Sequence, residues 1–347
     1  MKQVLIYDPY LDTLGGGERY VLSFGKSLSA LGFQVQIAWY DESIINLASA
    51  RFDQDYSQIV TNPGAYYSLQ SNSIFKKYLL AKHFDLIFWV SDGSLPFLFS
   101  KQSIVHFQVP FKKIGGNFLV NKIKSANIDK FIYNSLFTKS VLDKSLPKAK
   151  GLVLYPPVDL DKFQPGKKEK LIISVGRFFA PLNNKRQDVI IQAFSKLHSK
   201  QPEYQLVLLG GLVGMESQLN DLRAMAQGLP VTFIPNPDFA TIQDYYARAQ
   251  FFWHAAGFDV NEEKEPEKVE HFGITTVEAI SAGCIPLVIA KGGQKEIIKS
   301  KELLCDTPEE IATKTIQIIE KNFVAEKIDI SYYSLNSFRE AVSKIIQ

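Results

Sequence analysis

Seven residues separate Glu270 from Glu278 in EHFGITTVEA, with Phe272, Gly273 and Ile274 between them and a helix predicted from Thr275. The first amides of such a helix, with the Thr275 and Thr276 hydroxyls, can hold a phosphate at a helix N-terminus. A carboxylate one turn in, Glu278, can accept hydrogen bonds from vicinal ribose hydroxyls, and Glu270 on the loop can do the same for a sugar. The helix dipole alone also favours acidic residues in a first turn, so a single glutamate there proves nothing. Arg177 follows the apolar run KLIISVG directly, and Lys185 lies eight residues on, before the helical pattern DVIIQAF. Two cations after a strand suit a diphosphate, arginine as a bidentate fork and lysine as a point charge; a solvated surface pair is the alternative. Gly15, Gly16 and Gly17 sit between a strand and a helix, where backbone amides and the dipole can meet an anion, or where a turn simply needs positive φ. They do not form G-x-G-x-x-G, so a dinucleotide fingerprint is absent.

Three histidines fall near these segments. His106, in SIVHFQVP, follows an apolar run and by itself reads as a packed interior residue. His271 belongs to the EHFG stretch and His254 is expected to pack against it. The three lack paired ligand spacing for a metal, and Cys284 and Cys305 are too few for a disulfide framework or a structural zinc site.

The elements that position these residues alternate. KQVLIYD, FQVQIAWYD, FDLIFWVSD, SIVHFQVP, KFIYNS and KGLVLYPPVD read as strands, each followed by a helical or loop stretch. The rhythm restarts with KLIISVG and continues through YQLVLLGG, PVTFIP, AQFFWHA and CIPLVIA. Helices are predicted around Met215 to Gln227, Thr241 to Ala249, Thr275 to Ala282 and Pro308 to Lys321, with a last one near Ser334 to Ile346. Strands alternating with helices mean parallel sheets covered on both faces. Two doubly wound α/β domains are therefore expected, over residues 1–157 and 158–330, joined by the proline-bearing segment YPPVDLDKFQPGKKEK. The terminal stretch 331–347 is expected to pack back on the first domain. Two such domains facing across a cleft would put the carboxyl ends of both sheets around one ligand site.

A chain of 347 residues with 46% hydrophobic and 22% charged residues is of ordinary globular composition, which excludes wholesale disorder and collagen-like structure. No apolar run approaches the ~18 residues a bilayer demands. The start, MKQVLIYDPYLD, does not read as a signal peptide, and a reducing, cytoplasmic setting is expected. Net charge is +3 but uneven: Met1 to Tyr155 carries 17 lysines and arginines against 11 acidic residues, and the remainder 22 against 25. A basic first half suggests contact with something anionic, and solvated lysine-rich loops are the plainer reading.

GGGER, VGRF with its following lysine, EHFGITTVEA, SAG-IP and GG-Q-EII together resemble the retaining glycosyltransferases of family 4, which have the GT-B fold of two Rossmann-like domains. FIYNSLFT and LYPPVDLDKF sit in the family's order too, so the likeness runs along almost the whole chain. The resemblance implies transfer of a hexosyl unit from a nucleotide-diphosphate sugar to a glycan or lipid-linked glycan, with GDP-mannose favoured over a UDP-sugar. It implies that Gly15 and Gly16 lie against the donor diphosphate and that Arg177 and Lys185 neutralise it as it leaves. Glu270 would contact the sugar, Glu278 the ribose and Thr275 the distal phosphate, with the backbone of Phe272, Gly273 and Ile274 framing the sugar. His106 matches a histidine that contacts the sugar in such enzymes. Retention is implied by the family; with no carboxylate placed as a covalent nucleophile, front-face attack is the expected mechanism, without cofactor or metal. The base pocket is expected near Pro235 to Phe239, and the insert GFDVNEEKEPEKVE is expected to be a solvated loop rather than a lid.

Three readings compete with this one. An inactive nucleotide-sugar-binding relative would keep the fold. A nicotinamide oxidoreductase is disfavoured by the missing fingerprint; a sugar-phosphate epimerase or a phosphorylase shares the architecture, the phosphorylase being disfavoured by the lack of a cofactor-lysine context. On the acceptor side, FKKIGGNFLVNKIK and the basic balance of the first domain fit peripheral contact with an anionic membrane face. No nucleic-acid partner is expected.

Overall fold

The computed structural model describes residues 1–147, 150–179, 182–214, 216–321 and 328–346. The chain divides into two compact units, Met1–Pro157 with Leu335–Gln347, and Val158–Ser334. The two crossings lie side by side: Val158 N–H donates to Tyr333 O at 2.7 Å, and Val158 bridges to Ser334.

In the first unit the chain order is β1 (Gln3–Tyr7), α1 (Gly16–Ala30), β2 (Gln34–Ile37), α2 (Ile44–Phe52), β3 (Ile59–Thr61), α3 (Pro63–Gln70) and α4 (Ile74–Ala81). It continues with β4 (Leu86–Val90), β5 (Gln102–Phe107), α5 (Phe118–Ala126), β6 (Lys130–Tyr133), α6 (Leu136–Leu142) and β7 (Gly151–Val153). The strands form one parallel sheet in the order β3-β2-β1-β4-β5-β6-β7. Alternation along β1 sends Val4 and Ile6 to one face, with Phe24 of α1, and Leu5 and Tyr7 to the other, with Phe107 and Phe131. On α1, Tyr20, Val21, Phe24 and Leu28 recur at helical spacing and are buried, each contributing roughly 1.5–3 kcal/mol.

The second unit runs β8 (Glu169–Val175), α7 (Gln187–His198), β9 (Gln205–Gly210), α8 (Glu216–Met225), β10 (Val231–Pro235), α9 (Phe239–Arg248) and β11 (Ala249–His254). After it come α10 (Ile274–Ser281), β12 (Ile285–Ile289), α11 (Gln294–Ile297), β13 (Leu304–Cys305) and α12 (Pro308–Glu320). Its parallel sheet has the order β10-β9-β8-β11-β12-β13, so both units repeat one doubly wound pattern of Rossmann type. The last helix, α13 (Leu335–Ile346), returns to the first unit, where Phe338 meets Tyr20 edge-on at 5.4 Å between ring centroids.

The expected strands are all present, and two more exist at sheet edges, β3 and β13, of three and two residues. Runs that short show no periodicity, which is why sequence reading passes over them. The helix expected from Met215 begins at Glu216; Met215 itself lies outside the described residues. Among the described residues no helix is long and apolar enough to cross a membrane.

Candidate functional site

Ligands of open parallel sheets bind beyond the carboxyl ends of the strands, where the strand order reverses. In the second unit that point falls between β8 and β11. Gly176 and Arg177 follow β8 there, and His254 is the last residue of β11.

Lys185 folds over this point: a Cβ built on Gly176 would lie 2.6 Å from Lys185 Cγ. Its ammonium reaches Glu270 Oε2 at 2.5 Å and Asn183 Oδ1 at 3.2 Å, and Asn183 Nδ2 donates to Glu270 Oε1 at 3.5 Å. The pair is nearly enclosed, with side-chain exposures of 15% for Lys185 and 9% for Glu270. Burial works to raise the Glu270 carboxyl, yet Lys185 and His254 outweigh it and hold it well below the usual range. His254 Nε2 lies 2.9 Å from Glu270 Oε2, off the line of a hydrogen bond, and neither ring nitrogen has an aligned partner. Burial lowers this imidazole below its ordinary value, against the opposing pull of the Glu270 carboxylate.

α10 begins one residue before the sequence expectation, at Ile274, because Gly273 takes the N-cap with φ 115° and no side-chain cap. The first two amides of α10, of Ile274 and Thr275, precede any intrahelical acceptor, whereas Thr276 N–H already donates to Gly273 O at 3.0 Å. Thr276 Oγ1 donates to Gln294 Oε1 at 3.0 Å, while Gln294 Nε2 is buried without a partner. Glu278 is buried and accepts a hydrogen bond from Tyr246 Oη at 3.2 Å; the same hydroxyl lies 3.1 Å from Thr275 O. Gly292 and Gly293 cross directly under the EHFG loop, Gly293 N–H donating to Glu270 O at 2.8 Å. His271 meets Glu267 O at 2.9 Å and so holds the loop rather than facing a site.

The acidic insert is not simply a solvated loop. Glu263 and Lys264 are exposed as expected, but Pro266 and Val269 are buried. Glu262 accepts from Gly292 N–H at 2.8 Å and from Lys295 Nζ at 2.6 Å, tying the insert to the glycine pair. Near Pro235 to Phe239, the expected base pocket, the Asn236 side chain exchanges hydrogen bonds with the Leu212 backbone at 2.8 and 2.9 Å.

The structure thus gathers Lys185, Glu270, His254 and Asn183 into one cluster. It sets Phe272, Gly273, Ile274, Thr275 and Glu278 along the adjoining loop and helix, and leaves Arg177 exposed after β8. Lys185, expected with Arg177 to meet a diphosphate, is paired with Glu270 in this structure.

In the first unit two further expectations change. The triple glycine makes no positive-φ turn: Gly15 is the N-cap of α1 with φ −100°, and Gly16 opens the helix. A Cβ on Gly17 would lie 1.9 Å from Gln108 Oε1, the movable end of a flexible side chain. The Gly15 amide, expected to meet a diphosphate, donates to Glu18 Oε2 at 2.6 Å, and Thr13 Oγ1 donates to the same oxygen at 2.6 Å. His106 is fully buried and stacks on Tyr20 at 4.3 Å and on Phe88 at 5.5 Å, its Nδ1 3.1 Å from Ile132 O. The ring has no exposed surface, and its surroundings are those of a packed interior histidine.

Burial pushes His106 down to about 3, against the opposing pull of the Ile132 carbonyl. A histidine ordinarily at 6.5 and held near 3 by folding contributes stability that is complete above pH 6.5 and is lost as pH falls towards 3. The slope reaches up to ~1.4 kcal/mol per pH unit. His106→Phe, which keeps the stacked ring, is expected to lose less stability than wild type between pH 7 and pH 5. Urea midpoints at the two pH values check this, and equal acid sensitivity would contradict it.

Asn183 and Tyr246 support the site but carry no motif; their only sequence signal is proximity to Lys185 and to a strand end. Gln294 is the glutamine of GG-Q-EII, but the motif does not announce its bond to Thr276.

Among known proteins, the family model for glycosyl transferases group 1 matches residues 158–334, about half of the chain. A human GDP-Man:Man(3)GlcNAc(2)-PP-Dol alpha-1,2-mannosyltransferase is 32% identical over 161 residues, covering 41% of this chain and 30% of that enzyme. An alpha-1,3/1,6-mannosyltransferase, ALG2, of Rhizomucor pusillus is 27% identical over 238 residues, covering 57% of this chain and 50% of that one. The chain therefore spans about a third to a half of the length of these relatives. Of solved structures, Anabaena HepE in complex with UDP and glucose superposes with a TM-score of 0.73 at 14% identity, covering 100% of this chain and 99% of that one. A glycosyltransferase from Rickettsia africae gives a TM-score of 0.69 at 17% identity, covering 99% and 93%. The fold is that of the GT-B glycosyltransferases, and the chain belongs to the glycosyl transferases group 1 family.

Proposed function

We propose that the chain is a retaining glycosyltransferase of family 4 that moves a hexosyl unit from a nucleotide-diphosphate sugar to a glycan or lipid-linked glycan. The observation that carries this reading is the enclosed Lys185–Glu270–His254 cluster at the sheet's switch point, beside the N-terminus of α10 and within the segment the family model matches. GDP-mannose is the favoured donor: the human relative is a GDP-Man mannosyltransferase, and the Rhizomucor relative, a mannosyltransferase, supports mannose alone.

In this reading Lys185 leans from Glu270 to the donor's phosphates, and the exposed Arg177 closes on them from the end of β8. Glu270, released from full pairing, accepts hydrogen bonds from the sugar. The first amides of α10 and Thr275 take the distal phosphate, Glu278 the ribose, and the backbone of Phe272, Gly273 and Ile274 frames the sugar. The leaving diphosphate is stabilised by cations and helix-terminal amides already in place, commonly the largest catalytic contribution in such sites. The acceptor hydroxyl attacks the face the diphosphate leaves, passing its proton to the departing phosphate oxygen, so configuration is retained. The reading uses no metal and no cofactor. In the first unit, a diphosphate at Gly15 and Gly16 must displace Glu18 from the Gly15 amide. The setting is the cytoplasm, with the acceptor met at a membrane face.

The test is release of nucleoside diphosphate from GDP-mannose, UDP-glucose and UDP-N-acetylglucosamine with a polyprenyl-diphosphate-linked glycan as acceptor, the product anomer being assigned by NMR. GDP release with an α-linked product is expected. A β-linked product from an α-linked donor would overturn retention, and release from a UDP-sugar alone would overturn the donor.

A further inference from the structure

Residues 56–84 and 93–128 of the first unit contain no aspartate or glutamate, yet hold eight lysines. Within them lie two helices that the core scarcely holds. In α5 the only buried residue is Ser125, and in α4 only Ala81. Their large apolar side chains point to solvent: Phe118 is 79% exposed, Leu119 68%, Ile123 59% and Phe75 65%. Helices of eight and nine residues are marginal without a partner, and an apolar face left in water is a cost that some surface must offset.

A chain of ring contacts links the two helices. Lys124 of α5 sits over the Phe97 ring at 5.0 Å, Phe97 stacks with Phe99 at 6.4 Å, and Phe99 meets Tyr78 of α4 edge-on at 5.4 Å. Exposed lysines flank the apolar side chains, among them Lys76, Lys112, Lys113 and Lys122. Apolar residues ringed by cations, with no anion across both segments, are complementary to a surface that is greasy beneath and negatively charged above.

We propose that α4, α5 and the Phe97–Phe99 link form an interfacial docking surface for an anionic lipid bilayer, with Phe75, Phe118, Leu119 and Ile123 entering the headgroup boundary and the lysines meeting lipid phosphates. For its purpose, delivery of a lipid-linked acceptor, the inference rests on the proposed function; its geometry stands apart from that reading. Each lysine near an anionic leaflet strengthens binding about fivefold, an effect that fades with salt.

The experiment is co-sedimentation of the whole chain with phosphatidylcholine vesicles and with vesicles of 70% phosphatidylcholine and 30% phosphatidylglycerol. Wild type is expected to partition at least tenfold more onto the anionic vesicles, and to lose that excess in 0.5 M NaCl. F118S/L119S and K113E/K122E, both confined to exposed side chains, are each expected to weaken binding tenfold or more. Equal partition onto both vesicle types, or variants that bind like wild type, would overturn the proposal. So would light scattering that shows a dimer dissociated by F118S/L119S, since the face would then belong to a second copy. Thermal midpoints with GDP, read on the same samples, keep the two readings distinguishable: vesicle binding without a GDP response would remove the donor and leave the surface.

Discussion

Lys185→Ala is expected to lower sugar transfer by about 10²–10³-fold, the usual cost of removing one preorganised charge from a developing anion. It is also expected to destabilise the second unit, because it leaves the Glu270 carboxylate buried without its ammonium partner. Breaking one side of such a pair costs on the order of 3–5 kcal/mol. The sign of the pH dependence follows from the same contact. Glu270 is held well below its ordinary 4.5, so its contribution is complete above that pH and is lost as pH falls through the folded value. In Lys185→Ala the carboxyl rises, and acid unfolding should begin at a higher pH than in wild type. Transfer rates with urea titrations at pH 7 and pH 4 check both parts. Should the variant not fold, Arg177→Ala, at an exposed position, is expected to fold and still lose transfer; wild-type rates in both would contradict the assigned roles.

Gly292→Ala is expected to cost about 3 kcal/mol or more and to abolish donor binding. Gly292 has φ +58°, and a Cβ there would lie 2.1 Å from Glu270 O, a backbone atom that cannot swing aside. The methyl group would push the EHFG loop off the glycine pair. The Gly293 N–H bond to Glu270 O and the Glu262 contact to Gly292 N–H both lie in the path of that shift. Glu270 would then leave Lys185. Thermal unfolding of the variant, with and without GDP, measures both effects. A variant with a wild-type midpoint would show that the loop does not depend on this close approach.

Much of the architecture is legible in the sequence because buried parallel strands write themselves as short apolar runs. KLIISVG, YQLVLLGG and CIPLVIA could hardly be anything else. The edge strands β3 and β13 escape because so few residues leave no pattern. At the site, residue types are legible and pairings are not. Sequence order places Arg177 and Lys185 as like partners, whereas folding pairs Lys185 with Glu270 across 85 positions. Glu18 on the Gly15 amide is the same lesson on a smaller scale: a glycine loop advertises free amides, and a nearby carboxylate takes one of them. For His106 the residue alone, after an apolar run, already pointed to an interior ring, and its stacking between Tyr20 and Phe88 agrees with that. The half-buried Asn183 and the buried Tyr246 and Gln294 are ordinary polar residues whose importance lies in which atoms they reach, and composition carries no trace of that.

The central claim is that the second unit binds a nucleoside diphosphate through Lys185, Arg177 and the head of α10. Thermal unfolding with GDP, UDP, ADP and NAD at equal concentrations tests it most directly. A ligand at 100 times its dissociation constant stabilises the folded chain by about 2.7 kcal/mol. A raised midpoint with GDP, lost in Arg177→Ala, is the expected result; a response to NAD alone, or to none of the four, would contradict the account.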